Sequence, residues 1–159
     1  MGNKVTNVVI AGLGGQGVLK ASDILAEAAF RAGRDVKKSE IHGMAQRGGS
    51  VSSDVRFGGE VLSPMISAGE ADYLVVLEAT QAEPNRHMLR EGGVMITPSA
   101  VDAAALPNRK SLNVALLGVL SAYLDIPESF WIGSLHANLN PKIHAVNDEA
   151  FAFGRKTMR

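Results

Sequence analysis

The chain contains no cysteine. That excludes disulfides, thiol nucleophiles and any iron–sulfur cluster ligated by this sequence. It carries no excess of charge of either sign, since 16 Lys and Arg balance 16 Asp and Glu. The general electrostatic case for nucleic acid or an anionic membrane is therefore missing. No apolar run approaches membrane-spanning length, and the opening MGNKVTN has no signal-peptide core. Internal repeats, low-complexity runs and linkers are also lacking. These absences lead to the expectation of one cytoplasmic domain over residues 1–159. What is present is ordinary globular composition, 46% hydrophobic and 20% charged over 159 residues. That length is enough for a sizeable core.

The most unusual stretch is VVIAGLGGQGVLK. The run Val8-Val9-Ile10-Ala11 suits a buried parallel strand, and Gly12, Gly14, Gly15 and Gly17 follow within a few residues. A helix opening there would point its partly positive N-terminus at whatever fills the turn. Gly12, Gly14 and Gly17 satisfy G-x-G-x-x-G between a strand and a helix, with Asp35 and Glu40 at a distance suiting a ribose contact. There is no Walker lysine, because Gln16-Gly17-Val18 stands where Gly-Lys-Ser is required. Three uses stay open for the turn: a nucleotide or CoA phosphate, NAD or FAD, and close packing of chain on chain.

Periodicity predicts a strand over 7–11, a helix over 15–32 and a strand over 35–40, together a βαβ unit with parallel pairing. Alternation over 50–57 reads as a strand, and Gly58-Gly59 as a hairpin turn into a return strand over 60–63. A strand follows over 71–78, ending in Glu78, then a short helix reaching Leu89. Gly92-Gly93 separates that helix from a strand over 94–97. Residues 100–107 read as a loop, and three helices follow over 111–124, 127–139 and 141–155. Phe130 and Trp131 read as core. The expected fold is α/β: a Rossmann-like, mostly parallel sheet with a β-hairpin excursion and a C-terminal helical cap.

The second unusual stretch is IHGMAQRGGS, with His42, Arg47, Gly48, Gly49 and Ser50 in one loop. Read alone it is either a solvated loop, with Arg47 paired to an acid and His42 on the surface, or a polar constellation of His42, Gln46, Arg47 and Ser50 that its glycines let sit against a ligand. No second histidine sits nearby to suggest a metal pair, because His87, His136 and His144 scatter along predicted helices.

Taken together, GLGGQGVLKASDILAEAAFRAG and DVKKSEIHGMAQRGGSVSSDVRFG resemble the gamma-type subunit, or gamma domain, of the 2-oxoacid:ferredoxin oxidoreductases. The G-x-G-G-Q-G at Gly12–Gly17 and the R-G-G at Arg47–Gly49 carry the resemblance most specifically. SEIHGMAQRGGSV is most similar to the indolepyruvate branch, where this chain is the beta subunit. Fainter echoes are Ser63-Pro64, Glu78, Asn113 with Gly118, and Asn147 with Ala150-Phe151 and Gly154.

The resemblance implies oxidative decarboxylation of a 2-oxoacid such as an arylpyruvate to an acyl-CoA, with electrons passed to ferredoxin. It implies that thiamine diphosphate, Mg and [4Fe–4S] clusters belong to partner subunits and that this chain alone holds no cofactor. The sequence offers no Gly-Asp-Gly segment with a following Asn for a thiamine-bound metal. No residue here is therefore assigned a proton-transfer or nucleophilic role. The cofactor-binding candidates are Gly12, Gly14, Gly15, Gln16, Gly17, His42, Arg47, Gly48, Gly49 and Ser50, expected at the C-terminal ends of neighbouring strands and facing CoA or the partner's thiamine site. Arg47 offers a planar cationic fork to a CoA phosphate or a partner carboxylate. A homodimer is compatible with the resemblance. The competing readings are a free-standing NAD- or nucleotide-binding protein and a partner-binding regulatory module.

Overall fold

The computed structural model describes residues 4–42 and 49–158. Five strands form one sheet: β1 (Val5–Leu13), β2 (Asp35–His42), β3 (Ser50–Gly58), β4 (Ala71–Val76) and β5 (Leu89–Ile96), in spatial order β2-β3-β1-β4-β5. β1 pairs in parallel with β4, and β4 with β5, whereas β3 runs antiparallel to both β1 and β2. Four strands thus share one direction and β3 alone is reversed, so the mixed α/β class and the mostly parallel sheet hold.

Two expected pairings do not. β2 runs in the direction of β1 but does not touch it, because β3 lies between them. The return strand over 60–63 is also absent. Both sides of β3 are already occupied by β1 and β2, which leaves that segment no edge to pair with. Side chains replace the missing ladder as the chain leaves the sheet. The Asp35 carboxylate accepts from the Val61 N–H at 2.7 Å, Arg56 donates to the Ser63 carbonyl at 2.8 Å, and Asp54 accepts from the Ile66 N–H at 3.0 Å. Asp54 is buried, and that burial pushes its carboxyl above the ordinary range against the opposing Ile66 hydrogen bond and Arg56 charge.

Helix α1 (Val18–Arg31) buries Val18, Ala21, Ile24, Leu25, Ala28 and Ala29, a stripe at helical spacing. It packs on β1, β2 and β3. The helix expected up to Leu89 is a broken turn instead, with α2 only Ala82–Asn85. Pro84 has no N–H to give a continuing helix. β5 then starts at Leu89 and runs through Gly92-Gly93, with a register shift against β4.

The C-terminal helices are α3 (Leu112–Ser121), α4 (Glu128–Asn138) and α5 (His144–Lys156). Trp131 is fully buried, its ring centroid 5.5 Å from that of Phe151, while Phe130 is half-buried. α3 and α5 meet backbone to backbone. A Cβ on Gly118 would collide with the Phe151 carbonyl, and one on Gly154 with the Ala115 carbonyl. This gives the two echoed glycines a packing reason. The main core lies between α1, α3–α5 and one sheet face; a smaller cluster of Val9, Ala11, Ile66, Ala71, Leu74 and Val76 lies on the other.

Candidate functional site

β1 ends at Leu13 and α1 begins at Val18, so the glycine turn forms the mouth of the sheet at its C-terminal edge. Gly17 caps the helix with φ +84°, a conformation that any side chain would strain, and no side chain caps the helix there. Its carbonyl accepts from the Ala21 N–H at 2.9 Å.

Gln16 turns back into the turn. Its Oε1 accepts from the Leu13 N–H at 2.7 Å, and its Nε2 donates to Glu78 Oε1 at 3.2 Å. The Leu77 N–H donates to the Ala11 carbonyl at 2.8 Å, so the end of β4 is held against β1 at the same level. From the other side Asn113, at the start of α3, donates its Nδ2 to the Gly17 carbonyl at 3.3 Å. Gln16 is thus a clamp within the turn, and Glu78 and Asn113 are its braces. Sequence reasoning noted both braces only as echoes of a family.

In front of the braced turn lies a cleft of about 600 Å³ lined by Gly15, Gln16, Gly17, Lys20, Leu77, Arg109, Lys110, Leu112 and Asn113. Three of these side chains are cationic and none is a carboxylate. Lys20 sits in the first turn of α1 and donates to the Asn138 carbonyl at 3.1 Å. Arg109 and Lys110 are exposed and project from a single 3-10 turn, Arg109–Ser111, which Asn108 caps by accepting from the Lys110 N–H at 2.9 Å. Among the described residues none of the three forms an ion pair. The cleft therefore combines positive charge outside any ion pair, glycine backbone with no side chain to shield it and the positive end of a 14-residue helix. Chemically it suits an anion carrying several acceptor oxygens. Arg109 and Lys110 escaped the sequence reading because they lie in a stretch with no periodicity, far from either glycine motif.

The second loop reaches the same edge of the sheet. The Gly14 N–H donates to the Gly49 carbonyl at 2.8 Å, Ser50 stands opposite Leu13, and His42 stands opposite Val51. Gly12, Gly14–Gly17, Gly49 and Ser50 are therefore together, although β1 and β2 are separated by β3 rather than adjacent. Ser50 itself lines a separate small hollow of about 100 Å³ with Ile41, Val51, Ser52, Gln81 and Asn85. Arg47 and Gly48 lie outside the described residues.

The same topology bears on the dinucleotide alternative. Asp35 opens β2 at the opposite end of the sheet from the glycine turn and is engaged by Val61. Glu40 is set one further strand away from β1, and its carboxylate meets Lys38 at 2.6 Å. Neither acid is placed for a ribose at the turn.

The histidines are less scattered than their sequence positions suggest. His136 and His144 stack with centroids 4.1 Å apart, and His136 Nε2 lies 2.8 Å from Asp148 Oδ2. Helices α4 and α5 fold back on each other, which the sequence spacing alone does not reveal. Even so, no group of three potential metal ligands occurs among the described residues.

Residues 7–157 match the family model described as pyruvate ferredoxin/flavodoxin oxidoreductase. The indolepyruvate oxidoreductase subunit IorB of Thermococcus kodakarensis is 45% identical over 94 residues, covering 59% of this chain and 46% of that relative. The chain thus spans about half the length of such curated relatives. Among solved structures, the gamma subunit of a keto/oxoacid ferredoxin oxidoreductase from Geobacter sulfurreducens superposes with a TM-score of 0.81 at 22% identity, over 96% of this chain and 97% of that one. The 2-oxoglutarate:ferredoxin oxidoreductase of Magnetococcus marinus, solved with 2-oxoglutarate, coenzyme A and succinyl-CoA bound, gives 0.84 at 21% identity, over 98% of this chain and 31% of that one. At these identities the two structures establish a shared fold.

Proposed function

Because the chain belongs to the pyruvate ferredoxin/flavodoxin oxidoreductase family, we propose that it is the gamma-type subunit of a multi-chain 2-oxoacid:ferredoxin oxidoreductase whose substrate is an arylpyruvate such as indolepyruvate. The single observation that carries the chain's own part is the cleft at the glycine turn, with three cations and no carboxylate among its lining residues. It receives the phosphates of CoA, the acyl acceptor. Lys20, Arg109 and Lys110 neutralise charge there, and the Gly15–Gly17 backbone lets the anion approach closely. Gln16, Glu78 and Asn113 hold the turn in shape, and Gln16 and Asn113 also line the cleft. Arg47, which lies outside the described residues, and His42, the last residue of β2, are the further candidates for contact with CoA or with the partner's active site.

The reacting groups lie elsewhere. Thiamine diphosphate with its Mg, and the [4Fe–4S] clusters, sit in the partner subunits, where thiamine supplies the decarboxylation chemistry and the clusters carry electrons to ferredoxin. This sequence has no thiol with which to ligate a cluster. Its residues bind and orient the acceptor and exclude water from one side of the partner's site. The chain works as one domain, in the cytoplasm, and pairs with a second copy of itself.

Reconstitution with the large subunit is the test. The assembled complex should reduce ferredoxin in the presence of CoA, with arylpyruvates preferred over pyruvate and 2-oxoglutarate, while the isolated chain shows no turnover. NAD binding by the isolated chain in a calorimeter, or failure to form the complex, would overturn the reading.

A further inference from the structure

The sheet has two outer edges, β2 and β5, and they differ in kind. β5 contains Gly92-Gly93 and a register shift, devices that spoil an edge for further pairing. β2 has neither proline, glycine nor bulge, and it keeps an unbroken eight-residue register with β3. No strand among the described residues covers its outer side. Beside it, on α1, Phe30 is 71% exposed and Ile41 on the strand itself is 46% exposed. An open hollow of about 370 Å³ runs along this flank, lined by Asp23, Phe30, Val36, Lys38 and others.

We infer that the outer edge of β2 is an isologous interface, where a second copy of this chain adds its own β2 in antiparallel pairing. The inference rests on the proposal that the chain pairs with itself, and it names the surface. A two-fold axis perpendicular to a sheet keeps each side chain on its own face, so one residue must stand opposite its own copy. The registers that overlap most of β2 centre on Lys37, Lys38, Ser39 or Glu40. Centring on Lys37, Lys38 or Glu40 sets like charges face to face across the axis, which is unfavourable. Centring on Ser39 sets two small neutral side chains there. It also sets Lys38 of each copy opposite Glu40 of the other, twice by symmetry.

Both charges of that cross-strand pair stand on the α1 face of β2. The Lys38 Nζ lies 2.6 Å from Asp23 and 2.6 Å from Glu40 within the chain, which holds both charges at the strand edge. Pairing would join the two sheets into one, with both α1 helices on the same face and the hollows beside Phe30 brought toward each other.

The cysteine-free sequence supplies a direct probe. Facing Cα atoms in an antiparallel pair lie about 4.5–5.5 Å apart, within the disulfide range. The full chain carrying Ser39→Cys should therefore cross-link to a dimer under mild oxidation. Leu62→Cys, at a position 84% exposed and off the strand, should not. In sedimentation, Lys38→Glu should raise the dimer dissociation constant about tenfold through two lost cross-strand pairs and two new repulsions. Lys38→Glu with Glu40→Lys should restore it, and thermal unfolding followed by circular dichroism shows that each variant is folded. A dimer that neither cross-links at position 39 nor responds to the charge swap overturns this surface while self-pairing stands. A chain that stays monomeric at all concentrations overturns both, leaving the lysines of β2 as guards of a free edge.

Discussion

Replacing Gly17 with alanine probes the braced turn at its tightest point. The residue has φ +84°, where an L side chain costs about 1–2 kcal/mol. A Cβ there would sit 2.5 Å from Asn113 Nδ2, so Asn113 must withdraw from the Gly17 carbonyl. Losing that hydrogen bond costs about 1 kcal/mol more. The expected loss for Gly17→Ala is about 2–3 kcal/mol, or roughly 5–10 °C in Tm for a domain of this size. Gly15→Ala is the matched control: φ is +90°, but nothing lies within 4 Å of its Cβ, so it should lose the backbone component only. Urea unfolding of both variants, and of each combined with Asn113→Ala, separates the two components. With Asn113 truncated, the contact is gone and the two glycine substitutions should cost the same. Equal losses in the parent background would refute the claim that Asn113 braces the turn.

Other outcomes follow from the core. Burial raises the Asp54 carboxyl above its ordinary range. The folded chain then keeps a proton that the unfolded chain has already released, and stability falls as pH rises through the folded-state value. Asp54→Asn retains an acceptor for the Ile66 N–H and should remove that decline, its gain over the parent growing from acid to neutral pH in urea titrations. Ser53 Oγ is buried without a partner, so Ser53→Ala should be neutral or stabilise by up to about 1 kcal/mol, read as an unchanged or higher Tm. Gly154→Ala drives a Cβ into the Ala115 carbonyl and should destabilise by about 3 kcal/mol or more, with α3 and α5 losing hydrogen-exchange protection first.

Elements whose apolar spacing is local were legible in the sequence. The α1 stripe, the buried runs of β1 and β4 and the three C-terminal helices fall close to their expected spans. The order of strands was not, because nothing local in β2 or β3 says which neighbour each will choose. The insertion of β3 between β1 and β2 removed the expected return strand and carried Glu40 away from the glycine turn. Residues that act by long-range contact were hidden for the same reason. Gln16 meets Glu78 and Asn113 meets Gly17 across long stretches of chain, and Arg109 and Lys110 arrive at the turn only because α3 packs against α1. The glycines themselves were visible, since their density after a strand is rare. Their setting, as one wall of a cationic cleft, required the fold.

If the cleft receives the anionic end of CoA, the Michaelis constant for CoA in the reconstituted complex depends on its cations. Arg109→Ala with Lys110→Ala should raise KM for CoA about tenfold or more while kcat and complex assembly hold, the effect shrinking as salt screens the exposed charges. An intact complex whose KM for CoA does not move, at low salt as at high, would mean that the CoA phosphates bind elsewhere.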